Sequence, residues 1–120
     1  MRLVHRRGPP EDREERVLAT TVEFADSTLE QARGLMFRRS LPDDSVLVFR
    51  FERPKVRDLH MLFVPFAIDA LWLSGTEVVH KKRLKPFIGL GRATADTVVE
   101  LPAGAADEVA VGDDVALVDD

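Results

Sequence analysis

From Arg16 onward the chain alternates apolar and polar positions with a period near two. Leu18, Thr20, Val22 and Phe24 share one parity within Arg16–Phe24, the pattern of a half-buried strand. Val46–Phe51, Val56–Val64, Ile68–Leu73, Glu77–Leu84, Thr97–Leu101 and Val115–Val118 have the same strand-like character, set by their β-branched and aromatic content. Ser74-Gly75 reads as a hairpin turn between two of these strands. Leu41-Pro42-Asp43-Asp44 and Gly112-Asp113-Asp114 are turns as well. Helical signals are few. Ser27-Thr28-Leu29-Glu30 matches a capping box, and Gly34 supplies a left-handed stop, so a two-turn helix is expected over Thr28–Arg33. A second short helix is expected over Ala103–Glu108, after Pro102. Short strands at turn spacing predict a mainly β (α+β) fold, a compact barrel-like or sandwich-like domain with one or two short helices.

Gly8-Pro9-Pro10 and the charged Glu11–Arg16 patch separate the opening segment from this pattern. The expected organisation is an N-terminal arm or loose hairpin over residues 1–15 and one domain over residues 16–120. At 120 residues, with 45% hydrophobic and 32% charged side chains, the chain suffices for one core without metal or disulfide. It has no cysteine, which excludes disulfides, thiol nucleophiles and thiolate-ligated metals. Arg2, Arg6 and Arg7 precede no apolar stretch, so no signal peptide is expected. The longest nearly apolar run, Leu59–Leu73, contains His60, Pro65 and Asp69 and is too short to span a bilayer. It reads as core. A cytoplasmic protein without membrane contact is expected.

The net charge of −4 is mild, but its distribution is uneven. Arg50–Arg92 holds nine Lys/Arg against four Asp/Glu, whereas Ala93–Asp120 holds eight acids and no base. The middle of the chain is therefore basic and its end acidic. Lys81, Lys82, Arg83 and Lys85, followed by Gly89-Leu90-Gly91-Arg92, form a glycine-bearing basic stretch that could hold an anion. No Walker loop or complete dinucleotide fingerprint is present. Only Phe87 lies nearby for base stacking, so nucleic acid is not the expected partner. The plain alternative is a solvated edge strand whose lysines block sheet association.

His60, Asp69 and His80 fall on three consecutive expected strands and could converge as a metal site or an acid–base pair. Their spacings match no known ligand pattern. The plainer reading gives His60 a hydrogen-bonded place in a core strand and leaves His80 in solvent. Asp69 is more informative, because it is flanked by Ala67, Ile68, Ala70, Leu71 and Trp72. A carboxylate there is costly unless paired or bonded to several N–H groups. It is either a buried anchor, held by an arginine such as Arg38 or by the amides of a neighbouring turn, or a pocket acid. Met36, Phe37 and Met61 would floor an apolar pocket or fill core gaps. No GxSxG or HExxH motif occurs.

The segment ADSTLEQARGLMFRRSLP over Ala25–Pro42 resembles the opening motif of the DUF192 family, small prokaryotic proteins of unknown function. The resemblance continues through His60–Asp69, Val99–Gly104 and the Val-Gly-Asp turn at residues 111–113. His60-Met61-Leu62-Phe63-Val64 stands where many bacterial relatives have Trp-Met-Lys-Asn-Thr, and the variant resembles an archaeal form. The resemblance implies a compact, mostly β, barrel-like domain and no established activity or catalytic residue. The leading expectation is a non-catalytic binding module, monomeric or weakly dimeric and without a cofactor or metal. It would recognise a small molecule or a protein at Arg33, Arg38, His60 and Asp69. Two alternatives stand beside it: a small enzyme using His60 and Asp69, and an anion or nucleic-acid surface on Lys81, Lys82, Arg83, Lys85 and Arg92.

Overall fold

The computed structural model describes residues 1–25, 31 and 34–119. Eight strands make up almost all of its regular structure: β1 Arg2–Arg7, β2 Glu14–Ala19, β3 Thr21–Phe24, β4 Ser45–His60, β5 Ile68–Ser74, β6 Glu77–Leu84, β7 Leu90–Pro102 and β8 Asp114–Val118. They form one sheet in the order β2-β1-β8-β6-β5-β7-β4-β3. Every pairing is antiparallel except β3 with β4. The outermost strands, β2 and β3, are joined directly at Thr20. The sheet must therefore curl until its two edges approach, although no ladder among the described residues links them. The fold is mainly β, as the alternating pattern predicts.

Because side chains alternate across a strand, the curled sheet has two apolar layers. The inner layer contains Leu3, Leu18, Val46, Val48, Leu71, Leu73, Val78, Val99, Leu101 and Val115, and is stoppered by Ala106 and Val109. The outer layer is built on Leu47, Phe49, Ile68, Ala70, Trp72, Leu84, Ala95 and Val98, and is covered by Ala25, Leu35, Met61 and Val64. One strand thus supplies both layers, Val98 outward and Val99 inward.

Several boundaries differ from those expected. The opening segment is a hairpin, but it is not loose. Its first strand lies between β2 and β8, with Leu3, Val4 and His5 buried. Two expected strands merge into β4, interrupted by a register shift between Arg50 and Lys55 that accommodates the charged insert. Residues 103–108, expected as a helix, form a chain of tight turns instead, in which Ala105, Asp107 and Val109 donate to carbonyls three residues earlier. The expected Thr28–Arg33 helix and its capping box lie, except for Gln31, outside the described residues. The Gly89-Leu90-Gly91-Arg92 stretch is not a separate loop, since β7 begins at Leu90.

Gly91 is there for packing. A Cβ on it would lie 2.5 Å from Trp72 Cη2, and Trp72 is fully buried with its Nε1 donating to the Arg57 carbonyl at 2.9 Å. Gly91→Ala is therefore expected to cost about 1–3 kcal/mol by overpacking. The check is a lower denaturation midpoint with an unchanged slope, accompanied by a changed Trp72 fluorescence spectrum. An unaltered midpoint would show that the ring has room to move.

Candidate functional site

Asp69 sits at the end of the inner layer, on the face opposite Ile68 and Ala70. It is almost completely buried and accepts four hydrogen bonds. Arg83 donates from Nε at 2.8 Å and from Nη2 at 3.3 Å. The backbone amides of Gly104 and Ala106 donate to Oδ2 at 2.9 and 3.0 Å. This is an anchor that ties the turns at residues 103–109 to β5, with Arg83 rather than Arg38 as its cation. Its oxygens are committed, so the paired-chemistry reading with His60 gains no support from the geometry.

His60 is exposed, and its Nδ1 accepts from the Leu62 amide at 3.3 Å. His80 is half-buried rather than solvated, its ring 4.9 Å from that of Trp72. Arg38 pairs with Glu23. Arg33 lies outside the described residues. Of the residues expected to gather, Asp69 and His60 do not share a face: Asp69 faces the inner layer, while His60 lies beside the outer one.

The basic stretch is largely occupied by intramolecular acceptors. Lys81 Nζ donates to the Val109 carbonyl at 2.8 Å and to that of Asp107 at 3.3 Å. Lys82 Nζ donates to the Leu90 carbonyl at 2.5 Å, Arg83 bridges Asp69 and Asp107, and Arg92 pairs with Asp58. Lys85 is exposed in the loop beyond β6. These contacts suit a solvated strand whose lysines staple neighbouring turns better than an anion cradle.

The residue that sequence reasoning passes over is Glu100. It lies in β7 between Leu47 of β4 and Ala70 of β5, and points into the outer apolar layer. Its exposure is 6%, and its Oε2 has no hydrogen-bond partner among the described residues. Burial pushes its pKa from an ordinary 4.5 to about 8, the positive charge of Arg38 offsetting only part of the rise. At neutral pH this side chain is a neutral acid. It borders a cavity of about 60 Å³ walled by Leu35, Phe49, Met61, Val64 and Ile68, with Gln31, Asp58 and His60 also lining it. A space of that size admits a few water molecules or a ligand group of a few heavy atoms.

The signal for Glu100 is present in the sequence, as a single acid inside the apolar run Val98-Val99-Glu100-Leu101. It is the same signal that singles out Asp69. What the sequence does not show is which of the two acids finds partners. Larger depressions of about 460 Å³ at His5, Glu15 and Glu108, and of about 550 Å³ at Arg50, Arg53 and Arg57, hold no unsatisfied buried acid and are mostly bordered by exposed charged residues.

The chain matches the family model DUF192, described as an uncharacterized ACR, over residues 10–117. It is 30% identical over 98 residues to a UPF0127 protein of Thermococcus sibiricus, a match covering 78% of this chain and 64% of that protein. The chain therefore spans less than two-thirds of that relative's length. Among solved structures it is similar to a candidate transcription regulator of Sinorhizobium meliloti 1021, with a TM-score of 0.76 at 20% identity, covering 96% of this chain and 92% of that one. It is also similar to a protein of unknown function from Novosphingobium aromaticivorans DSM 12444, with a TM-score of 0.75 at 24% identity, covering 96% and 84%. At these identities the two structures share the fold with this chain, and no activity passes between them.

Proposed function

Since the chain belongs to the DUF192 family, whose shared fold carries no assigned chemistry, we propose that it is a non-catalytic binding module whose cavity takes a small ligand at Glu100. The observation that carries this reading is the unpartnered Oε2 of a buried, neutral carboxyl group on the cavity wall. A buried polar group without a partner costs free energy that apolar packing could have avoided. A ligand that pairs with it recovers that cost.

The protonated carboxyl offers one donor and one acceptor in a single plane. The matching ligand group carries the reverse pair, as a primary amide does. Leu35, Phe49, Met61, Val64 and Ile68 would hold a short aliphatic substituent beside it. His60 and Asp58 stay at the border of the cavity, where they would meet the remainder of the ligand.

The test is a titration with acetamide and isobutyramide, followed through the methyl resonances of Met61, Val64 and Ile68. The expected result is a saturable shift confined to those methyls, absent from Glu100→Leu, which removes the carboxyl and keeps an apolar side chain. No shift in the unaltered protein, or an equal shift in Glu100→Leu, would overturn the reading.

A further inference from the structure

The Leu59–Leu73 run, expected as core, is not all core. Leu62 and Phe63 project into solvent at exposures of 54% and 49%. They are joined at the same end of the molecule by Phe37, Phe87, Ile88 and Leu90, all more than half exposed. The three contributing loops are bound to one another. The Phe37 amide donates to the Phe63 carbonyl at 2.9 Å, Phe87 to Val64 at 3.0 Å, and Met61 to Gly89 at 3.0 Å. The rings of Phe37 and Phe63 stack with centroids 4.8 Å apart.

Phe37, Phe63 and Phe87 have φ of +67°, +61° and +64°. Among the described residues, Asp44 is the only other non-glycine residue with positive φ. Left-handed backbone is unfavourable for any residue with a Cβ and rare for bulky ones. Strain of this kind concentrates where function requires it. Here it falls on three phenylalanines, one per loop, whose rings are left outside the core.

We propose that this apolar tip docks the protein onto an anionic membrane surface. The charge of the tip points to that occupant. Residues 35–41, 61–67 and 85–89 contain no acid and carry the exposed cations Arg39 and Lys85, beside Arg38, which is paired with Glu23. Apolar side chains flanked by cations match a hydrocarbon boundary below negative headgroups. Apart from these cations, Ser40 has the only polar side chain in the three loops, whereas a protein interface is stitched by regularly spaced hydrogen bonds. Phe37 and Phe63 already stack on each other, and Leu62, Ile88 and Leu90 have no ring face, which leaves Phe87 as the one unstacked ring for a base. A second copy placed tip to tip would bring like charges together. No helix among the described residues is long and apolar enough to cross a bilayer; the contact inferred here is peripheral and independent of the Glu100 cavity.

The test is co-sedimentation of the whole chain with vesicles of phosphatidylcholine mixed with phosphatidylglycerol, against vesicles of phosphatidylcholine alone. Binding is expected to the mixed vesicles and to weaken as salt is raised. Phe63→Asn with Phe87→Asn should weaken it about tenfold or more without lowering Tm, since Asn tolerates the left-handed region. Ile88→Ser, at a position of ordinary backbone, is the second variant and should weaken binding in the same direction. Arg39→Glu with Lys85→Glu should remove the preference for the anionic lipid. The proposal fails if the unaltered chain stays in the supernatant with mixed vesicles, or if the apolar-tip variants bind as it does. It also fails if the chain forms a vesicle-free dimer that the Asn variant abolishes, which would make the tip a protein interface.

Discussion

Glu100→Gln is expected to stabilise the protein at neutral and alkaline pH and to leave it unchanged in acid. In the unfolded chain this carboxyl ionises near its ordinary 4.5, but in the folded state it holds its proton to about 8. Between those values the folded state binds more protons than the unfolded one. Stability therefore falls as pH rises through this window and levels off above it. The slope for one such group is about 1.4 kcal/mol per pH unit, so the loss reaches about 3 kcal/mol by pH 7. Glutamine has the same shape and no charge, which removes this dependence. Denaturation midpoints for the two proteins should coincide near pH 4 and diverge progressively towards pH 8, with the variant higher. Parallel profiles would mean that the folded protein does not hold Glu100 neutral.

The second large effect is expected at Asp69. Asp69→Ala leaves the buried amides of Gly104 and Ala106 without acceptors and removes the carboxylate partner of Arg83. Removing one side of such a network costs about 3–5 kcal/mol, a large part of the stability of a domain this size. Asp69→Asn keeps the shape and one carbonyl oxygen, so its loss should be intermediate. Arg83→Ala should be milder than either, because Arg83 is half exposed and the two backbone bonds survive without it. Urea midpoints for the three variants establish this order. If Arg83→Ala were as damaging as Asp69→Ala, the ion pair rather than the amide bonds would be the anchor.

Asp69 and Glu100 show how far the sequence could be read. Each is a carboxylate inside an apolar strand, and each was bound to be either partnered or perturbed. Asp69 was legible as an anchor, although its cation proved to be Arg83, brought opposite it by the pairing of β5 with β6. Glu100 needed three-dimensional information, because its character depends on what Leu47, Ala70 and the covering loops leave beside it. Asp69 and His60 lie on opposite sides of the sheet for a reason the sequence leaves open, since one residue's shift along a strand puts a side chain on the other face.

The alternating segments located the strands of the interior, above all Ile68–Leu73, which β5 extends by one residue to Ser74, and Glu77–Leu84. β1 escaped because its arginines at positions 2, 6 and 7 outweigh Leu3-Val4-His5, and because its partners lie at β8 and across the hairpin in β2. Gly91 looked like part of a ligand loop, yet it is small because Trp72 lies against it. The outward phenylalanines carried no local signature. Their exposure is fixed by bonds between loops distant in sequence, such as Phe37 to Phe63 and Phe87 to Val64.

The proposed binding site depends most on Glu100 being a neutral acid with a free Oε2 beside an open cavity. The direct measurement is a titration of its side-chain carboxyl carbon by ¹³C NMR, with Glu100→Gln used to assign the resonance. A midpoint near 8 is the predicted result, moving when an amide ligand occupies the cavity. A midpoint near 4.5, unmoved by ligand, would contradict both the electrostatics of the site and the function proposed for it.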